Sequence, residues 1–599
     1  MAAGATRKQG FLWSRPSLTA LSFLVLAVPV AVYFWFIGHY ALNVIYYDSW
    51  SDVNLIAHPW NLWNQHNEQR VVFPNFIVLL LGNTVHFNTL VEDYLNGVML
   101  MFATGLFVWT HKRRSPSTPW IYYLPVAIVM LSIVQAGSTL WGVQLAWYLV
   151  MLALAVTLYF LDRPTMTNLV MAAAIAAAVV GSFSSLMGLF IWPVGLALLW
   201  HRRRSKGFVF AWVGSAVVSV FLYFVRLDLN QTYQDPGYLH SHPIQGIKMF
   251  FFVIGDVFGA QTYDNVGHHV PNAPNAGNGV VIFLGVVVFA IAAWAVIAYG
   301  FRRDETSGGV VGVALVCFGL LTAFSIAYGR TSPDGLGVSG GPSRYTTFTL
   351  LILAGTYLAL LNRPTSDARN EPSDQDELIE RSDSGAEIPA NGQAQIKSRD
   401  RRPYLVVLSL EIVAICLLIV MGTVEGIAYG RFWHQNEVQM ADVTVNLNQA
   451  SNSLIDDTLF PGGSHWVRLW APIATERHLS LFATGAVAHY TKEGLFREFG
   501  VVSTRVAKPV AGATLSGGEF LDAGASCKEG VTKVEFRLTG GDLHDAPIGT
   551  ATHTVDGWIA GWNTASVPNG IYTLESVAFA SNGLSAHSPG IVVTVKNEP

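Results

Sequence analysis

Residues 17–52 read SLTALSFLVLAVPVAVYFWFIGHYALNVIYYDSWSD: an apolar run to Tyr40, and soon after it the carboxylates of Asp48 and Asp52. The run contains no Asp, Glu, Lys or Arg and is longer than the about 20 residues a helix needs to cross the hydrocarbon core. Arg7, Lys8 and Arg15 precede it as in a signal peptide, but no small-residue cleavage site follows, so a retained helix is expected. Outward from this stretch, the rest of the 599-residue chain is alike in character. It is 51% hydrophobic and only 13% charged, whereas soluble domains carry charge on roughly 25% of positions.

Further apolar stretches lie near 95–110, 119–137, 143–161, 167–183, 186–200, 207–226, 280–299, 308–327, 345–361 and 404–424, which with the first makes eleven. If each crosses once from a cytoplasmic N-terminus, the clusters His111–Arg114, Arg202–Lys206, Arg302–Arg303 and Arg401–Arg402 all fall on the cytoplasmic side. That is the side where positive loops belong. The apolar segment Val71–Phe87 is broken by Pro74, Gly82 and Asn83, and reads as a helix in the outer interface. LDRPT at 161–165 and LNRPT at 361–365 end two helices with the same chemistry, an Arg for the headgroups and a Pro that stops the turn.

The expected organisation is a transmembrane domain over 1–365 and a disordered cytoplasmic linker over 366–403, rich in Asp, Glu, Ser, Gln and Asn. A last span over 404–426, a mixed extracytoplasmic connection over 427–503 and a β-sandwich over 504–599 follow. In the last segment VTKVEFRLTG alternates with period two, and Asn-Gly turns at 569–570 and 582–583 punctuate two further strands. Trp558 and Trp562 are its largest candidate anchors. The predicted fold class is thus a multispanning α-helical membrane protein with an extracytoplasmic β-sandwich, seated in the cytoplasmic (inner) membrane.

A formal charge of −4 without concentrated Lys and Arg excludes nucleic acid as a partner. Cys317, Cys416 and Cys527 build neither a disulfide framework nor a CxxC site. No cofactor is expected. His58, His66, His268 and His269 lack tight ligand spacing, so no metal ligands are assigned, and a divalent ion is left open.

The candidate chemistry lies in the outer loops. The first carries Asp48, Asp52, His66, Glu68 and Arg70 among Trp50, Trp60 and Trp63; the second carries Asp256 in MFFFVIGDVFGA; the third offers Arg330 and Arg344 on a glycine-rich segment. Two acidic loops and one basic loop facing one compartment suit an enzyme working at the headgroup level. There a carboxylate can take a proton from an attacking hydroxyl while an Arg holds a leaving phosphate. Glu411 lies inside the last span, where a carboxylate must face protein or water or be protonated.

YYDSWSD, GSFSSLMGLFIWPVGLALLW at 181–200 and SRY at 343–345 together resemble the multispanning glycosyltransferases of the GT-C superfamily, over roughly residues 17–361. The resemblance implies a polyprenyl-phosphate-linked sugar donor and an acidic base in the first external loop, Asp48 with Asp52 as its neighbour or substitute. It also implies phosphate contacts from later loops and an envelope polysaccharide or lipid-linked glycan as acceptor. No adjacent acidic pair is present; the two carboxylates, four apart, share a face only if their loop is helical. WNTASVPNGIYTLESVAFASNGLSAHSPG resembles bacterial Ig-like domains. Two other readings stay open, a lipid-glycan flippase or transporter, which favours polar groups at mid-membrane, and a noncatalytic glycan-binding scaffold.

Overall fold

The computed structural model describes residues 15–361 and 402–597, apart from 68, 228–235, 260–269, 272, 274–275, 301–307, 333–334, 337–342, 446, 448–449, 462, 484–501, 528–529, 555–556 and 582–584. The expected linker and Glu68, His268 and His269 therefore lie outside the described residues. In chain order the helices are α1 (Arg15–Tyr40), α2 (Ser49–Ala57), α3 (Val72–Val85), α4 (Thr89–Arg114), α5 (Leu124–Met130), α6 (Ala136–Thr139), α7 (Leu145–Leu161), α8 (Asn168–Ser182) and α9 (Ile191–His201). They continue with α10 (Lys206–Phe224), α11 (Pro236–Ser241), α12 (Pro243–Gly255), α13 (Asn278–Ala295), α14 (Gly309–Arg330), α15 (Thr346–Leu361), α16 (Arg402–Val445), α17 (Asn452–Thr458) and α18 (Ser464–Glu476).

Among the described residues eight helical segments are long and apolar enough to cross a membrane, and four shorter apolar helices accompany them. Phe210, Phe221, Phe283 and Val413 stand exposed on these helices, as lipid-facing side chains do. Glycines set the closest helix contacts. A β-carbon on Gly312 of α14 would run into the backbone of Gly355 on α15, and one on Gly255 of α12 into that of Val281 on α13. Such small residues let helices approach where burial alone gives no drive to associate.

One end of the bundle is fastened by a buried carboxylate. Asp162, of the LDRPT signal, is fully buried and pairs with Arg202 at 2.7 Å, Arg114 at 3.0 Å and Arg113 at 3.5 Å. Two of the basic clusters thus meet at the same end. At the other end the loop after α1 is gripped from several elements. The Leu42 amide donates to Glu437 Oε2 of α16 at 2.8 Å, Asn43 Oδ1 accepts from the Thr89 amide at 2.9 Å and from Ser480 Oγ at 2.9 Å, and the Tyr47 amide donates to the Leu459 carbonyl at 2.8 Å.

Three boundaries differ from expectation. α4 begins at Thr89, because the Asn88 side chain caps the Leu90 and Val91 amides; Glu92, Asp93 and Asn96 are thereby drawn into the helix and buried. α16 runs unbroken for 44 residues, far past 426, since a helix leaving the membrane needs only side-chain packing to continue, and its outer half has Tyr429, Trp433 and Met440 buried.

The third concerns the C-terminal module, whose strands are β3 (Ser503–Lys508), β4 (Thr514–Leu515), β5 (Gly518–Ser526), β6 (Val531–Gly540), β7 (Leu543–Thr554), β8 (Gly557–Asn563), β9 (Gly570–Ala580), β10 (Ser585–His587) and β11 (Ile591–Val595). With the hairpin β1 (Gln65–His66) and β2 (Gln69–Arg70) in the first outer loop, these are all the strands of the described residues. The expected two-sheet sandwich is instead one curled nine-stranded sheet, a half-barrel in the order β3-β5-β8-β7-β6-β9-β11-β4, with β10 on β9. β7 turns the corner: its first part pairs with β6 across a register shift, and its last residues, Thr552–Thr554, pair with β8. Leu521, Phe536, Leu574 and Trp562 fill the curl, whereas Trp558 is only half-buried at its edge.

Candidate functional site

Helix α2 begins at Ser49, after the loop 41–48 that follows the first span, and Asp48 occupies its N-cap position. Because the loop is helical, Asp48 and Asp52 lie one turn apart on the same side. Tyr47, just before, has φ of 47°. A non-glycine residue is rarely held in this left-handed region, and the hydrogen bond to Leu459 keeps it there.

Both carboxylates line a cavity of about 690 Å³. Arg330, the last residue of α14, Arg344, in the turn before α15, and His66 of the β1–β2 hairpin line it too. The first and third outer loops therefore deliver two acids, an imidazole and two guanidinium groups to one space. His66 Nε2 lies 3.5 Å from Asp48 Oδ2. Arg344 rests beside the rings of Tyr345 and Trp141, 5.2 and 5.8 Å from their centres. Its Nη2 donates to Tyr345 Oη at 3.3 Å, and its buried Nε has no hydrogen-bond partner. Burial works against the Arg344 charge, but Tyr345 and the Asp48 carboxylate outweigh it and raise its pKa.

Asp52 sits deeper, with only 8% of its surface exposed, and its Oδ2 has no hydrogen-bond partner. Burial chiefly pushes its carboxyl up to about 7; His66 pulls it down and Asp48 pushes it further up. Glu92, which hydropathy left outside the span, also lines the cavity, fully buried and with neither carboxylate oxygen bonded. It fits because residue 142 has no side chain: a β-carbon there would collide with the Glu92 carboxylate. Asn54, Asn61, Asn64, Gln65, Gln69 and Gln144 add neutral donors and acceptors to the wall. Gln69 is set by Ser185 Oγ at 2.8 Å, so the GSFSS stretch buttresses the hairpin.

Two expected binding residues are elsewhere. Arg70 is a clamp, buried to 3%, giving hydrogen bonds to the carbonyls of Trp63 at 2.7 Å, Val225 at 2.6 Å and Tyr223 at 3.3 Å. It ties the hairpin to the end of α10, and burial lowers its pKa. Asp256 is fully buried in the turn after α12, against α16, and does not line the cavity. Its segment enters the helix bundle instead of lining the outer surface.

Among the described residues one group of His and carboxylates is close enough to share a metal ion, Asp545, Glu575 and His587 on the β-domain. Arg537 already pairs with Asp545 at 2.6 Å and His587 with Glu575 at 3.1 Å. His58 is engaged with Asn54 at 3.0 Å.

Residues 503–575 match the family described as Bacterial Ig domain, in agreement with the strands found there. The chain is a polytopic membrane protein with a C-terminal bacterial Ig-like domain. Among curated proteins none matches the chain. Among solved structures, an endo-beta-1,4-mannanase from Thermotoga petrophila is similar at 15% identity over 22% of this chain and 24% of its own, with a TM-score of 0.15. So slight a likeness carries no argument.

Proposed function

We propose that this chain is a membrane glycosyltransferase that moves a sugar from a polyprenyl-phosphate-linked donor to an envelope polysaccharide or lipid-linked glycan on the extracytoplasmic face. On this reading the chain crosses the membrane eleven times from a cytoplasmic N-terminus, in GT-C-like fashion. The observation that supports it is the single cavity in which Asp48, paired with His66, faces Arg330 and Arg344.

The acceptor hydroxyl attacks the anomeric carbon, and Asp48 accepts its proton as the new glycosidic bond forms. The bond from that carbon to the phosphate oxygen breaks, and the phosphate leaves with the bonding electrons. Arg330 and Arg344 neutralise it, Arg344 with a free Nε that suits an oxyanion. Asp52, buried and near half-protonated at neutral pH, is less suited to hold a permanent charge and acts as the neighbour that sets the field at Asp48. The neutral amides of the wall suit sugar hydroxyls, which both donate and accept.

The test is transfer by purified protein from a panel of polyprenyl-phosphate sugars, read by the mass of the acceptor. Asp48→Asn should lower turnover by about 10²–10⁴-fold, the usual contribution of a positioned base. Arg344→Ala should mainly weaken donor binding. Unchanged turnover in Asp48→Asn refutes the assignment, and substrate movement across proteoliposomes without sugar transfer favours a flippase.

A further inference from the structure

We infer that the seam between the outer half of α16 and the β-domain binds a saccharide chain, the acceptor of the transfer proposed above; the inference rests on that reading for the word acceptor alone. A second cavity lies there, about 460 Å³ in volume, within the about 300–1,000 Å³ of small-ligand sites and at a domain junction, where such sites concentrate. The helix contributes Gln435, Gln439 and Asp442, α17 and its N-cap contribute Thr458 and Ser451, and the sheet contributes Thr504, Arg505 and Trp558.

The chemistry of this wall selects the ligand class. The side-chain amides of Gln435 and Gln439 offer donors and acceptors together, matching the hydroxyls of a sugar, while the hydroxyls of Ser451, Thr458 and Thr504 are buried and bonded within the protein and shape the wall. Trp558, half-buried, supplies a broad apolar ring of the kind that covers a flat, weakly polar face, and Val438, Val443 and Leu454 extend that apolar surface. Arg505 and Asp442 are of opposite sign, so the cavity lacks the single-sign field that a phosphate or a nucleic acid requires.

Position ties the seam to the candidate active site. Thr458 lines the seam and Pro461 lines the cavity of Asp48. The same short turn, through its Leu459 carbonyl, fixes Tyr47 beside Asp48. Arg505 also acts electrostatically on Asp457 and Tyr46. One turn of backbone therefore separates the two spaces, and a glycan held in the seam has its end near the proposed base.

Isothermal titration calorimetry on the full chain in detergent tests this, with mannohexaose, maltohexaose, cellohexaose and arabinohexaose as probes and a sulfated oligosaccharide as the anionic control. At least one neutral probe should bind saturably, with Kd raised about tenfold or more, roughly 1.4 kcal/mol, by Trp558→Ala and by Gln439→Ala. Thermal unfolding of each variant confirms folding, and Asp442→Asn, which preserves volume, gives a second reading. Binding should persist in Asp48→Asn. No binding of any neutral probe, binding of the anionic probe alone, or binding indifferent to all three seam substitutions overturns the inference. Absence of sugar transfer by the parent chain from every donor in the panel, with seam binding intact, removes the transferase reading and leaves the saccharide site standing.

Discussion

Replacing Asp52 by Asn should stabilise the protein above neutral pH and leave it unchanged in acid. Asp52 lies between Asp48, His66 and Glu92 with 8% of its surface exposed, and its carboxyl titrates at about 7 against an ordinary 3.8. The folded chain thus holds this proton about a thousandfold more tightly than the unfolded chain, worth about 4 kcal/mol at about 1.36 kcal/mol per tenfold. Since the folded state binds more protons in this interval, stability falls as pH rises from about 4 to about 7 and is level beyond it. The Asn amide keeps the shape and never ionises, so the variant escapes that loss. At about pH 4 both side chains are neutral in the folded state and the two proteins should match; above about pH 7 the variant should lead by up to about 4 kcal/mol. Thermal unfolding in detergent at one scan rate, repeated across pH, measures the gap. Two parallel profiles with a constant offset would show that Asp52 is not held protonated by its burial, and the account of the cavity's deep end would fall.

Gly142→Ala puts a methyl group into the space of the Glu92 carboxylate, and should cost about 1–3 kcal/mol of stability; Glu92→Gln in the same background should not restore it, because the collision is one of volume, and unfolding midpoints of both variants check this. Asp162→Ala leaves Arg202, 2% exposed in its side chain, without its carboxylate, a loss of about 3–5 kcal/mol; adding Arg202→Leu should recover part of it, and a single variant as stable as the parent would refute the role of Asp162 as a fastener.

Much of the membrane part is legible because spanning helices must be long and apolar, and a run such as Ser17–Tyr40 has few other fates in water or lipid. The acids at its outer end stood out for the same reason, and α2 brings them to one side. The β-domain announced itself by alternation in VTKVEFRLTG, although the single curled sheet depends on one bent strand, β7, that no alternation encodes. Glu92 was hidden because hydropathy counting discards charge at helix ends, while the cap at Asn88 draws it inward. VEDYLNG was the available signal, acids directly ahead of a span. Arg70 and Asp256 show the limit: each is a charged group in an outer loop, and only three-dimensional contacts distinguish a clamp or a buried turn from a ligand. Arg330 and Arg344 differ from them in nothing visible along the chain.

The unbroken α16 has a mechanical consequence. At about 1.5 Å per residue its 44 residues make a rod of about 66 Å, of which a bilayer core of about 30 Å occupies less than half. Whatever tilts the buried half swings the outer half with it. The Ig-like module packs against α17, which in turn packs on that rod, and Ser453 Oγ donates to Asp522 Oδ2 across the contact, so a tilt of α16 is passed on to the module.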